Sequence, residues 1–472
     1  MTDQLVIFGA SGGGIRVAKT LISLNIDFCF FVDNDMRKWG QVLEGKEICS
    51  PDRLSEKGKN YKIIIASEYQ KEIEAQLDAM GLADRRVVKE QYIINYIISQ
   101  LECFKYLEEL VIAPHRERQI FIDLLEGVKL GGIETWSFTV ARGLVKVGAP
   151  VKILSTKTEE QWPEDLAESM IDTEASYQDY WGTVQRLVTI FAENLPCSVI
   201  INKQTQALYA GYIVKHYFPE QIKLISVVHN DLLSYYRKQT ALVDYVDAIA
   251  CVSLDIKKRF IDEFRLPAHK LHYKESAVTF DETFDKEYTK DRTIPLRLGF
   301  AARLAKAQKR ADLLIPFIQG LEMNKINYIF TIAGNGPYYP TLEEYVVNND
   351  LSSRVRLLGQ IDREDMSSFW KQQDVFVSVS DYEGSSLSLL EAMSYGVVPV
   401  QTRVSGANEF IETGVNGYLC RTGDIEQAVN CVIELEQRRD LLSTFGASCR
   451  EIIRSKCDWE DYIDFLFYLA NS

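Results

Sequence analysis

Short apolar runs alternate with longer stretches of helical spacing along most of this chain. QLVIF at 4–8 is a buried strand, GASGGG a glycine turn, IRVAKTLISL a helix and DFCFFVD a second strand. KIIIAS at 62–67 and the helical EYQKEIEAQLDAMG complete a small parallel unit over residues 1–88. Residues 89–115 read as a connector helix, because aromatic and aliphatic side chains recur at helical spacing through KEQYIINYIISQLECFKYLEELVI. Its polar face is not basic, so the expectation is packing against neighbouring domains and not insertion in lipid.

The same pattern then restarts. FIDLLEGVKLGGIETWSFTVARGLVKVGAPVKILS spells strand, glycine turn, helix and strand, and further strands follow at 198–201, 223–228 and 248–253. The charged segment 279–295 has little apolar periodicity and reads as a linker. Beyond it LRLGFAAR, YIFTIAG, VRLLG, DVFVSVS and VVPVQ are strands with helices between them. Strands this apolar belong in parallel sheets covered on both faces. The expected fold class is α/β, with three Rossmann-like units over 1–88, 116–290 and 291–455 and a terminal helix over 456–472.

Composition narrows the functional classes. The 472 residues exceed what one hydrophobic core organises. A net charge of -14 works against general attraction to nucleic acid, which is held mainly by neutralising its phosphates, so no nucleic-acid partner is expected. The nine cysteines are scattered and never spaced CxxC, which removes the common zinc and dithiol sites and fits a reducing cytoplasm. Neither a secretory leader nor an apolar run of about 18 residues is present, so a cytoplasmic location is expected, with peripheral contact at the inner face of a membrane left open.

Ligands of open parallel sheets bind beyond the carboxyl ends of the strands. In the last unit those loops supply Arg303, Lys306, Lys309 and Arg310, then Gly334-Asn335-Gly336-Pro337, then Asp381-Tyr382-Glu383-Gly384-Ser385-Ser386 ahead of a helix with Leu387 and Glu391. Fixed cations and the free N–H groups of a helix start suit a nucleotide diphosphate and need no metal. Glu391 can accept hydrogen bonds from two ribose hydroxyls, and Glu383 can reach a sugar on the second phosphate. Two plainer readings compete. Ser388 and Glu391 also fit a capping box, and the four cations fit a solvated helical face. In the first unit GASGGG brings Gly9, Ser11, Gly12 and Gly14, and Asp33 stands where the ribose-binding acid of a dinucleotide site lies; Ser11 occupies the fingerprint's middle glycine position. Ligand binding there and an assembly role, including a homo-oligomer formed through this domain, both remain open.

GFAARLAKAQKRADLLI, IAGNGP, EGSSLSLLEAMSYGVVPV and GANEFIETGVNGYL resemble, in that order, blocks of the retaining GT-B glycosyltransferases, glycosyltransferase family four, which share their architecture with glycogen and sucrose synthases. The resemblance covers residues 118 to 470. It implies a GT-B pair of doubly wound sheets with a cleft between them: an acceptor domain over 116–290, a donor domain over 291–455, and a last helix that crosses back. It further implies that Arg303 and Lys309 hold the donor diphosphate, Glu391 the ribose and Glu383 the sugar hydroxyls, with Gly334, Asn335, Gly384, Ser385, Ser386 and Leu387 around the donor. Gly131 and Gly132 of GGIE would line the cleft near the phosphates, and His229 of VVHND would face the transferred sugar.

Two departures from the family pattern stand out. Ser385 and Ser386 replace an aromatic-glycine pair, and the spacing from Arg303 is one residue longer than usual, leaving Gln308 or Lys309 as the phosphate partner; charge favours Lys309. FVDNDMRKWGQVLEGKEICSPDRL resembles the small nucleotide-binding-like domains found ahead of sugar-modifying transferases. The function implied is metal-independent, retaining, front-face transfer of a sugar from a nucleotide-diphosphate donor, UDP-linked, to a glycan, glycolipid or cell-surface polymer. No cofactor is expected beyond the donor substrate. The alternative is a catalytically silent sugar-nucleotide-binding or assembly protein.

Overall fold

A computed structural model describes all residues except 1–3, 57, 68, 111, 113–116, 126–131, 157–161, 177 and 203–205. The strands form three sheets. The first contains β1 (Gln4–Phe8), β2 (Phe31–Val32), β3 (Val42–Leu43), β4 (Lys46–Cys49), β5 (Tyr61–Ile65) and β6 (Arg86–Val87), in the order β3-β4-β2-β1-β5-β6. It is parallel except for the β3–β4 pair. The second contains β7 (Gln119–Leu124), β8 (Val151–Ser155), β9 (Met170–Asp172), β10 (Cys197–Ile201), β11 (Ile222–Val228), β12 (Ala248–Cys251) and β13 (Leu271–Tyr273), ordered β13-β12-β11-β10-β7-β8-β9. The third contains β14 (Leu296–Ala301), β15 (Tyr328–Ala333), β16 (Val355–Gly359), β17 (Val375–Ser378), β18 (Val398–Thr402) and β19 (Tyr418–Cys420). Its order is β16-β15-β14-β17-β18-β19, and it is parallel throughout. The α/β class expected from the alternation is the one observed.

Period-two alternation explains why the third sheet is covered on both faces. Leu296, Leu298 and Phe300 of β14 enter one core with Phe317, Ile318 and Leu321 of the helix Leu314–Met323. Phe376 of β17 enters the other, with Trp370, Leu389, Leu390 and Met393. Each fully buried side chain of this size contributes about 1.5–3 kcal/mol through removal from water. The strand order reverses direction between β14 and β17, whose residues pair Leu298 with Val375 and Gly299 with Phe376.

The described residues divide into two compact units, one comprising Met1–Val227, Leu233–Ile249 and Phe467–Ser472, the other Val228–Leu232 and Ala250–Leu466. The helix Trp459–Asn471 contributes to both, its residues from Phe467 onward counting with the first unit. There Ser198 Oγ donates to the Ala470 carbonyl at 2.6 Å, both residues being buried. No helix among the described residues is long and apolar enough to cross a membrane.

Three local expectations change. The connector is an α-helix only over Lys89–Gln100 and tightens to a 3-10 helix over Leu101–Glu109, with Phe104 and Leu107 buried. The second strand shrinks to Phe31–Val32. The charged segment 279–295 lacks helix and strand, yet it is strapped onto its unit: Tyr288 Oη donates to the Gly396 carbonyl at 2.5 Å, buried Lys286 donates to the Lys371 carbonyl at 3.1 Å, and Arg292 pairs with Glu436 at 2.7 Å. Periodicity misses it because its anchors are single side chains and not a face.

Candidate functional site

The loops after β14 and β17 leave adjacent strands at the point where the sheet's winding reverses, which opens a crevice between them. Side chains lace the two loops together. Lys309 Nζ donates to Glu383 Oε1 at 2.6 Å, and Gln308 Nε2 donates to Glu383 Oε2 at 3.1 Å and to the Tyr382 carbonyl at 3.2 Å. Arg310 Nη1 donates to both Asp381 carboxylate oxygens, at 3.0 and 3.1 Å. Glu383 is only 5% exposed, so these partners are what allow it to be buried as a charge.

The four cations of this loop do not form one solvated face. Lys309 and Arg310 are half-buried and paired, while Arg303 and Lys306 are exposed. Lys306 Nζ lies 5.2 Å from the centre of the Tyr338 ring. Among the described residues Arg303 has no side-chain hydrogen bond or ion pair. An ammonium carries three protons, so Lys309 keeps donors beyond the one on Glu383.

The glycine turn after β15 shapes the same edge. Gly334 and Gly336 adopt φ of +142° and +154°, and a Cβ there would stand 2.0 Å from the Ala302 carbonyl oxygen and 2.5 Å from that of Leu304. Those two residues flank Arg303. Leu304 N donates to the Asn335 carbonyl at 2.9 Å, and Asn335 Oδ1 accepts from Gly336 N at 2.7 Å. Only glycine lets the turn press this closely on the cationic loop.

The helix Leu387–Ser394 starts at Ser386, whose Oγ accepts from Leu389 N at 3.4 Å. Ser388 turns away, donating to the Ala301 carbonyl at 2.9 Å at the end of β14. The Ser388–Glu391 capping box is therefore absent. Glu391 instead accepts from Arg363 Nη1. Burial pushes the Glu391 carboxyl above its ordinary value, and the Arg363 guanidinium opposes that shift. Arg363 was not singled out from sequence; its position in IDRED, just beyond a strand, was the available signal. Ser385 Oγ is buried with no hydrogen-bond partner among the described residues.

The segment Val228–Leu232 completes the site within the same unit. A Cβ on Gly384 would lie 2.2 Å from the His229 carbonyl oxygen and 2.8 Å from Asn230 N, so two backbones touch here. Asp231 N donates to the Glu383 carbonyl at 3.3 Å. The Asp231 carboxylate accepts from Arg259 Nη1 at 2.9 Å and from Ser405 Oγ. His229 is half-buried, and Asn230 Oδ1 is buried with no hydrogen-bond partner among the described residues. The structure thus brings Lys309, Glu383, Gly384 and the His229 backbone together, with Gln308, Asp231 and Arg310 as neighbours that sequence reasoning gave no role or a secondary one. Gly132 belongs to the other unit as the first residue of the helix Gly132–Lys146, and Gly131 lies outside the described residues.

In the first sheet Gly9 and Gly14, two of the predicted ligand residues, stand in close backbone contact. A Cβ on Gly9 or Gly13 would lie 2.6 Å from the Ala66 carbonyl oxygen, and one on Gly14 1.8 Å from that of Gly9. Ser11 caps the helix Gly12–Ser23 by position without a side-chain bond, and Ser11 and Gly12 are exposed. Asp33 Oδ2 accepts from Ala10 N at 2.8 Å and from Lys38 Nζ at 3.0 Å. No group of three or more His, Cys, Asp or Glu among the described residues is placed to hold a metal ion.

Comparison with known proteins bears on the fold that carries this site. Residues 281–451 match the family model of glycosyl transferases group 1, and residues 1–88 match the model C2185-like, N-terminal. An uncharacterized glycosyltransferase of Methanocaldococcus jannaschii is 28% identical over 45% of this chain and 56% of its own length. The N-acetyl-alpha-D-glucosaminyl L-malate synthase of Bacillus anthracis is 24% identical over 52% of this chain and 66% of its own length. These matches span less than two thirds of either relative. The crystal structure of a mutant of S. aureus TarM in complex with Fondaparinux, alpha-GlcNAc-glycerol and UDP superposes with a TM-score of 0.62 at 14% identity, covering 75% of this chain and 100% of that one. The chain has the fold of the GT-B glycosyltransferases, and its residues 281–451 are similar to the glycosyl transferases of group 1.

Proposed function

We propose that this protein is a retaining glycosyltransferase that moves a sugar from a nucleotide-diphosphate donor, UDP-linked, to a glycan, glycolipid or cell-surface polymer, without a metal. The observation that carries the reading is the ion pair of Lys309 and buried Glu383 across the β14 and β17 loops, with the guanidinium of Arg303, unpaired among the described residues, on the same loop. The match of residues 281–451 to the group 1 model and the UDP in the TarM complex support it.

In this reading Arg303 and the remaining donors of Lys309 hold the diphosphate, Glu391 accepts from the ribose hydroxyls, Glu383 positions the sugar, and His229 faces the transferred group. The bond from the sugar C1 to the β-phosphate oxygen breaks, its electron pair leaving with the diphosphate. The acceptor oxygen bonds to C1 on the same face, and its proton passes to an oxygen of the leaving diphosphate. Cations already in place beside the phosphates stabilise the charge that develops there, and they supply the largest part of the rate. Glu383, held by Lys309 and Gln308, serves to position and not to attack.

The test is incubation with a panel of nucleotide sugars and glycan or lipid-linked acceptors, in the presence of a chelator, with the anomeric configuration of the product read by NMR. Transfer with retained configuration, undiminished by the chelator, is expected. Nucleotide-sugar binding without transfer or hydrolysis would support the silent binder instead.

A further inference from the structure

Successive side chains of an extended chain point to opposite sides. In the loop after β14, however, Lys309 and Arg310 both meet the loop after β17. The chain turns at Arg310, whose φ of +48° and ψ of +45° lie in the left-handed region that side chains other than those of asparagine and aspartate rarely adopt. A large residue keeps that conformation only where its surroundings hold it there. Two carboxylates do so. Arg310 Nε and Nη2 donate to Asp312 at 3.2 and 3.1 Å, and Nη1 donates to both oxygens of Asp381 at 3.0 and 3.1 Å. Side-chain exposures of 27%, 30% and 26% for Arg310, Asp312 and Asp381 set these pairs apart from freely solvated ones, which contribute little.

The backbone crosses at the same place. Asp381 N donates to the Gln308 carbonyl at 2.9 Å, next to the bonds of Gln308 to the Tyr382 carbonyl and to Glu383. Residues 308, 309 and 310 thus meet residues 381, 382 and 383, and Asp381 receives both a backbone bond and an ion pair. A planar guanidinium held on two edges has one orientation, so it fixes where Asp381 stands and not only how far away. Glu383 follows two residues later.

We infer that Arg310 is a positioning residue for sugar transfer: by its bond to Asp381 it fixes the loop after β17 and so sets the Glu383 carboxylate against Lys309. This rests on the transferase reading of the site. Arg310 acts through Asp381 and not on the donor, so its signature is a fall in kcat without a matching rise in donor KM.

Three substitutions separate the contacts. Arg310→Gly suits the left-handed backbone and removes both pairs, Asp381→Asn removes the charge that crosses between the loops, and Asp312→Asn removes only the charge within one loop. These full-length variants and Arg310→Gly/Asp381→Asn are compared in kcat, donor KM, Tm and amide exchange at residues 381–386. Arg310→Gly and Asp381→Asn are each expected to lower kcat about tenfold with donor KM changed less than about twofold, the scale for a misplaced active-site group, and to speed exchange by a similar factor. The double variant is expected to lose no more than either single one, as for two partners of one contact. Asp312→Asn is expected to lose less than about threefold. Asp381→Asn decides the matter if Arg310→Gly does not fold. Unchanged kcat and exchange in those two variants would overturn the inference, as would losses that multiply in the double variant, an equal loss in Asp312→Asn, or losses that only follow Tm. A raised donor KM with kcat unchanged would also overturn it, by making Arg310 a donor contact. Absence of turnover in the unsubstituted protein would defeat the transferase reading instead, and exchange at 381–386 would still decide whether Arg310 holds the loop.

Discussion

Lys309 and Glu383 meet at 2.6 Å across loops that follow two adjacent strands, β14 and β17, of one parallel sheet. Glu383 is buried and Lys309 mostly so, with side-chain exposures of 7% and 23%. Removing the cation leaves an uncompensated carboxylate. Lys309→Met is therefore expected to cost about 2–4 kcal/mol of stability, and the double variant Lys309→Met/Glu383→Gln to regain part of it. Chemical denaturation of the three chains checks this; equal stability of single and double variants would show that the pair is not coupled.

Glu383→Gln keeps the shape and the contact from Gln308 while removing the charge that faces Lys309. If Glu383 orients the donor sugar, kcat/KM falls by about two orders of magnitude or more, the usual scale for a lost transition-state contact. Steady-state kinetics with the donor that supports turnover decides it. A variant with undiminished turnover would remove Glu383 from the mechanism.

Gly384 is required for space and not for backbone freedom, because a Cβ would press on the His229 carbonyl at 2.2 Å. Neither side of that contact is a flexible side chain. Gly384→Ala is expected to destabilise by about 1–3 kcal/mol and to abolish transfer by parting the two backbones. Thermal melting together with an activity assay tests both halves.

Glu391 supplies a pH dependence. Its carboxyl is raised by burial, so the folded chain binds that proton more tightly than the unfolded chain. Its contribution to stability is complete below the ordinary glutamate range and is lost as pH rises through the raised value. If Glu391 holds the donor ribose, as proposed, donor affinity runs the opposite way, since ribose hydroxyls are held best by the charged form, and it falls as pH drops through the same value. Arg363→Met removes the charge that opposes the shift, so the acid limb of donor binding moves to higher pH. Calorimetric titrations of both proteins over a pH series measure it; superimposable limbs would contradict the assignment.

The sequence carried the parallel sheets, because strands buried on both faces are apolar throughout and helices between them show their own period. It also carried the meeting of the loops that bear Lys309 and Glu383, since loops after strands converge wherever winding reverses. Arg363 and Asp231 were not legible, because their roles depend on partners far along the chain, Glu391 for one and Arg259 and Ser405 for the other. Asp33 shows what spacing leaves out: it falls where a ribose-binding acid would, and in the fold its carboxylate accepts from Ala10 N and Lys38. Spacing records where a carboxylate falls along the chain, not what reaches it first.

The most direct measurement is thermal unfolding of the unsubstituted protein and of the Arg303→Ala/Glu391→Ala variant against a panel of nucleotide sugars. A UDP-sugar at a hundred times its dissociation constant stabilises a chain that binds it by about 2.7 kcal/mol. That stabilisation is expected in the unsubstituted protein and is expected to vanish in the variant. No stabilisation by any nucleotide sugar, or an equal one in both chains, would contradict a donor site built on these residues.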